Sequence, residues 1–367
     1  TSDKTEKLSI PVHWIAFKQQ FFSSIIIAKD NFITNAIIET KSEPKKNTDF
    51  LRTTSASMDI AFNPRENEQT YNFNFYFGPN KYKILRKFKL DIEKIIPLGW
   101  SFRPLAWISQ YIIIPVFNFL ESFNINYGII ILILTILLKI VLFPIAYKTY
   151  MSSAKMRVLK PEIEEINKKY PKKEDALKKQ QAIMTLYKKA GVNPMSGCIP
   201  MLLQLPILIA MFRFFPSSIE LRQQSFLWAK DLSSYDSVLD LPFNIPFYGD
   251  HVSLFCLLMT ISTIIYTKLN NDMMGSSSQQ MPGMKTMMYI MPIMFLGFFN
   301  SIASGLSYYY LLANLITFAQ MYAFRKFINE QKLYQKIQSN KAKPIKKSRL
   351  QQCLEEMAKN QGYRYKR

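Results

Sequence analysis

Gly128-Ile-Ile-Ile-Leu-Ile-Leu-Thr135-Ile-Leu-Leu-Lys139-Ile-Val-Leu-Phe-Pro144-Ile-Ala-Tyr147 is the stretch that decides what kind of protein this is. An α-helix rises about 1.5 Å per residue, so roughly twenty apolar residues match a hydrocarbon core of about 30 Å. One lysine is the only charge in it. Four further runs of similar character follow, at 197–215, 252–268, 284–300 and 303–323. The fourth span, 284–300, is short and interrupted by Pro292; local thinning of a bilayer can match such a segment.

The connections between these runs fix an orientation. Residues 148–191 carry eleven lysines, from Lys148 to Lys189, and Arg157, against Glu162, Glu164, Glu165, Glu174 and Asp175. Residues 216–251 reverse the balance, with Arg222 and Lys230 against Glu220, Asp231, Asp236, Asp240 and Asp250. The tail, 326–367, is basic again. Positive charge stays on the cytoplasmic side, so 148–191 and the tail are expected inside and 216–251 outside. Whatever precedes 128 lies outside as well.

Composition agrees with apolar spans plus segregated basic segments: 49% hydrophobic residues coexist with a net charge of +21. Cys198, Cys256 and Cys353 are too scattered for a disulfide framework or a zinc site. His13 and His251 are the only histidines. The chain starts at Thr1 without a signal segment, and a piece of a longer protein is expected.

Residues 1–96 read as an extracytoplasmic β domain, sandwich-like. Tyr71, Phe73, Phe75 and Phe77 alternate with Asn72, Asn74 and Tyr76, which puts rings on one face of a strand. Gly78-Pro79-Asn80 supplies turn chemistry before a second apolar and basic run, Tyr82 to Phe88. Ile10 to Ala28 and Phe32 to Ile38 fit further strands. Residues 97–124, with Trp100, Trp107 and Tyr111, suit an amphipathic helix lying at the headgroup layer; packing under the β domain is the alternative.

The connection 148–191 is more than a link. Met156, Leu159, Ile163 and Ile166 recur at helical spacing, as do Leu177, Met184 and Tyr187 after Pro171, and Pro161 suits a helix start. Two helices joined through Pro171 to Asp175 make a cytoplasmic hairpin, either a solvated loop or a docking element.

Lys139 is the leading candidate for chemistry. A charge at mid-bilayer costs about 2.5–3.5 kcal/mol on insertion scales, so it faces a partner or a wet cavity. Snorkelling is the competing reading, but Lys148 is nine residues on, about 13 Å along the helix and beyond a lysine stem. Thr135 lies one turn away. Ser307, Tyr310, Asn314 and Thr317 form a stripe in the last run, Thr260, Thr263 and Thr267 another in the third, and Gln204 projects from the second. Such residues serve as hydrogen-bond glue between helices or line a hydrophilic groove. No Walker loop, nucleophile elbow, HExxH or paired intramembrane aspartates occur. Neither a nucleotide, another cofactor nor enzymatic chemistry is therefore expected.

Several blocks in order resemble the YidC family of membrane protein insertases. They are Met151-Ser-Ser-Ala-Lys-Met156 with Leu159-Lys-Pro161, Gly191 through Pro200 to Gln204-Leu-Pro-Ile207, Leu227-Trp-Ala-Lys-Asp-Leu232, and Ser304-Gly-Leu306 through Tyr309-Tyr310 to Asn314. The resemblance covers most of 97–325, and a β domain before five spans is similar to the Gram-negative form, which has an additional N-terminal span and a longer β domain. It implies a mainly α polytopic inner-membrane protein, with a five-span core at 125–325. It also implies a groove open to the cytoplasm that passes client segments into lipid, and nascent membrane proteins, the Sec translocon, the ribosome and anionic lipids as partners. The family usually has arginine where this chain has Lys139; lysine keeps the charge and loses the bidentate fork. A small-solute transporter or channel is the competing reading, and it would call for inverted repeats.

Overall fold

Six short strands open the chain in the computed structural model, which describes residues 3–29, 33–42, 52–60, 62–98, 103–172, 175–192, 199–274 and 284–341. Trp100, Asn193 to Cys198 and the tail beyond 341 lie outside those residues. Contacts divide the chain into two units, one of residues 1–128, 207–236 and 302–306, the other of 129–206, 237–301 and 307–367.

In the first unit β1 (Lys4–Lys7), β4 (Ile33–Ser42) and β5 (Arg52–Ile60) form one antiparallel sheet with β4 central. β2 (Trp14–Lys18), β3 (Phe22–Ala28) and β6 (Phe73–Pro79) form a second, with β3 central. The β-branched run Ile25-Ile26-Ile27 suits a central strand. Both sheets contribute to one apolar cluster around Ile15, Ala28, Ile33 and Ala36, with Phe17, Met58 and Phe73 against it. Of the alternating rings, Phe73 joins that cluster. Phe75 and Phe77 stack on each other at 6.4 Å and stay exposed.

The second run after the turn is not extended. It folds into α1 (Tyr82–Leu85) and a 3-10 turn, Arg86–Phe88. Tyr82 and Leu85 are the buried residues of α1, and their spacing of three fits a helical face, where a strand would need a spacing of two. Then α2 (Arg103–Ile108), a π turn at Ser109–Ile113 and α3 (Ile114–Glu121) run on without a break. Ser109, Ile113, Phe117 and Leu120 are buried, while Trp107 and Tyr111 are exposed. Ser109 donates to the Leu98 carbonyl at 2.9 Å, and Lys81 pairs with Glu121 at 2.8 Å. One face of this segment is thus buried, and the opposite face carries Trp107 and Tyr111.

The remaining elements are mostly helical: α4 (Tyr127–Val158), α5 (Lys160–Lys169), α6 (Ala176–Ala190), α7 (Ile199–Ser217), a hairpin of β7 (Leu239–Ile245) and β8 (Gly249–Val252), α8 (Leu254–Met274), α9 (Met284–Asn300), α10 (Ser304–Phe327) and α11 (Glu330–Lys341). Helix α4 continues past the apolar run to Val158, and α5 restarts with Pro161 in its first turn. Met156, Leu159 and Ile163 are buried together with Ile183, Tyr187 and Ala190. The packing face of α6 is therefore corrected: Leu177 and Met184 are exposed, and Ile183 with Tyr187, one turn apart, take the inward places. Residues 330–341 are helical because Leu333 and Ile337 present an i, i+4 stripe, and both are buried in the same cluster. Lys341 pairs with Glu162 beside it.

Candidate functional site: a polar interior among apolar helices

Among the described residues, exposed apolar side chains crowd the outer faces of the long helices of the second unit. On α4 they are Ile136, Leu137, Ile140, Val141 and Phe143; on α8, Ile261 and Ile265; on α9, Met287, Ile290, Ile293, Met294 and Phe298. Val141 is 71% exposed, a state that water disfavours. The polar groups point the other way.

Half-buried Lys139 on α4 donates from Nζ to Thr317 Oγ1 on α10 at 2.9 Å. Thr317 in turn donates to the Ala313 carbonyl one turn back at 2.7 Å, which fixes its hydroxyl and leaves a lone pair for the lysine. Asn314 Nδ2 donates to Ser262 Oγ at 2.9 Å and Thr263 Oγ1 at 3.0 Å on α8. Gln204 Nε2 on α7 donates to the Tyr309 hydroxyl at 3.0 Å. Three helix pairs are thus tied by side-chain bonds. Interhelical bonds of this kind contribute about 0.6 kcal/mol each on average.

The structure therefore brings Lys139 to Thr317 and Thr263 to Asn314, and it joins Gln204 to Tyr309. Thr135 and Thr260 are spent on their own helices, donating to Ile131 O at 2.6 Å and Cys256 O at 2.9 Å. Ser307 is buried, with no hydrogen-bond partner for Oγ among the described residues, and Tyr310 is half-buried. Ser262 and Tyr309 were missed in the sequence. In the run Tyr308-Tyr309-Tyr310 spacing alone favours the last, and Ser262 sits between the threonines of a stripe and off its period.

The family described as 60Kd inner membrane protein matches residues 119–332, and the one described as YidC periplasmic domain matches residues 1–114. The chain belongs to the YidC family. A Parabacteroides distasonis relative named membrane protein insertase YidC is 50% identical over 375 residues, covering 98% of this chain and 58% of the relative. One from Bacteroides fragilis with the same name is 48% identical over 370 residues, covering 98% and 59%. One from Amoebophilus asiaticus is 44% identical, covering 99% and 60%. The chain spans less than two thirds of the length of these curated relatives. Of solved structures, "Active YidC insertase crystal structure with the first transmembrane domain resolved" is 25% identical, covers 82% of this chain and 70% of that one, and has a TM-score of 0.44. This YidC-family chain combines a β-rich periplasmic domain at its N-terminal end with a mostly helical C-terminal region.

Proposed function

We propose that this chain works as a membrane protein insertase of the bacterial inner membrane, with α4, α7, α8, α9 and α10 as its five spans. The inverted pattern, Lys139 and Asn314 inward with Val141 and Met294 outward, is the observation that carries this reading. At about 1.5 Å per residue, the 19 residues of α7, 21 of α8 and 24 of α10 reach about 28 to 36 Å. The 17 residues of α9 reach only about 25 Å, so the bilayer thins beside it. By length and hydropathy together, α4 alone qualifies as a span among the described residues. Helices α8 and α10 carry Ser262, Thr263, Tyr309 and Asn314, groups that hydrogen-bond inside the protein and so need not meet lipid.

In this reading the polar interior is a groove open to the cytoplasm. The Lys139 ammonium has three donors and Thr317 engages one, leaving capacity for a client carboxylate or water. Polar residues of a nascent segment exchange water for groove partners, which lowers the cost of crossing. The segment's apolar residues then leave into lipid, and their burial drives the process without a nucleotide or other cofactor. Helices α5 and α6 form the cytoplasmic hairpin that meets clients. The basic tail attaches to the ribosome or to anionic lipid through charge, and the Sec translocon is a further partner. Helix 103–121 lies at the periplasmic surface with Trp107 and Tyr111 toward the headgroups. A depletion–complementation assay tests the electrostatic role. Lys139→Ala should impair insertion of clients with acidic translocated tails and Lys139→Arg should retain it; full activity of the Ala variant on those clients contradicts the proposal.

A further inference from the structure

The β7–β8 hairpin carries the most exposed large apolar residue of the described chain, Phe247, 99% exposed. It sits in a tight turn, Ile245-Pro246-Phe247-Tyr248, closed by Tyr248 N–H donating to Ile245 O at 3.0 Å. Phe247 has φ +66°, at the turn position that favours glycine or asparagine. A bulky ring is thus held out where the backbone would prefer none. Leu239 and Phe243 on β7 are exposed as well, and no charged residue occurs between Asp240 and Asp250.

The hairpin is seated on the end of α9. A Cβ added at Gly297 would lie 2.5 Å from the Phe247 carbonyl oxygen, so only glycine lets the turn come this close. Asn300 Nδ2 donates to the carbonyls of Tyr248 at 3.0 Å and His251 at 2.8 Å, while its Oδ1 accepts from Ser253 N–H at 3.0 Å. The exposed apolar stripe of α9, Met287, Ile290, Met294 and Phe298, ends beside the glycine on which the turn rests.

From this continuity we infer that the β7–β8 hairpin is a lipid-seated wedge, with Phe243 and Phe247 entering the headgroup–acyl boundary of the periplasmic leaflet. The inference rests on α9 being a membrane span. An uncharged aromatic tip suits the interface. Asp240 and Asp250, which flank it, favour zwitterionic over anionic lipid. The wedge would extend the apolar reach of short α9 at its periplasmic end.

Spin labels at Phe247→Cys, Met294→Cys and Lys178→Cys, each in the full chain with Cys198 and Cys353 replaced by Ala and reconstituted in phosphatidylcholine nanodiscs, test it. Cys256 is buried and stays unlabelled. The measured quantity is the ratio of oxygen to nickel-chelate accessibility. Positions 247 and 294 should both exceed position 178 several-fold. A ratio at 247 equal to that at 178, with 294 high, overturns the wedge and leaves the span reading intact. A low ratio at 294 as well removes the span and the wedge together.

Discussion

Around α5, α6 and α11 the apolar side chains face inward and the charges outward, whereas along α4, α8 and α10 lysine, asparagine and threonine face inward and isoleucine and valine outward. With α4, α8 and α10 as proposed membrane spans, the two regions follow the same physics in different solvents. Burying Met156, Ile163, Tyr187 and Ile337 removes apolar surface from water, so the hairpin region is held as a soluble protein is. For helices in lipid that term vanishes between helices, and packing plus a few hydrogen bonds remain. A truncation should therefore cost more in the first region than a comparable loss of side-chain bonding in the second.

Ile163→Ala carries the largest expected effect, about 2–5 kcal/mol of local stability, since it empties a fully buried site. Hydrogen exchange over 160–190 should quicken while the apolar part of α4 keeps its protection. Equal loosening of both would erase the contrast.

Gly297→Ala follows, because a methyl there meets a backbone oxygen that cannot turn aside; overpacking of this kind costs about 1–3 kcal/mol. Exchange at 245–250 should report it. Unchanged protection there would mean that the hairpin is not seated on α9.

Asn314→Ala should cost on the order of 0.6 kcal/mol and at most about 1.7 kcal/mol, even though two hydrogen bonds are lost. Unfolding in mixed micelles gives the number, and a loss as large as that of Ile163→Ala would show that the interior depends on polar groups for stability.

Lys341→Ala should do least, about 0.2–1 kcal/mol for a pair near the surface, and less in salt. Leu333→Ala should release α11 more readily. The reverse order, read from proteolysis of the tail, would make the tail's attachment electrostatic.

The sequence made the second region legible and parts of the first illegible. Apolar runs of about twenty residues have few readings, so the helices holding Lys139, Gln204 and Asn314 were foreseen. Hydrogen-bond partners were not, because spacing picks Tyr310 where geometry uses Tyr309, and a helical period omits Ser262. In α6, Leu177 and Met184 compete with Ile183 for the inward face, and tertiary contact with Leu159 and Ile163 decides between them. Helix α11 escaped notice because its stripe is only Leu333 and Ile337 amid polar residues, too narrow to stand out from a charged tail. Tyr82 to Phe88 misled because a short apolar run does not distinguish a strand from a single helical turn.

The proposed groove makes the inward face near Lys139 wet from the cytoplasm and leaves the outward face of the same helices dry. Single cysteines at Thr317 and Val141, in inverted membrane vesicles of the chain lacking Cys198 and Cys353, can be challenged with a charged maleimide added from the cytoplasmic side. Thr317→Cys should react several times faster than Val141→Cys, despite its lower exposure in the protein alone. Equal rates, or faster reaction at Val141→Cys, would contradict it.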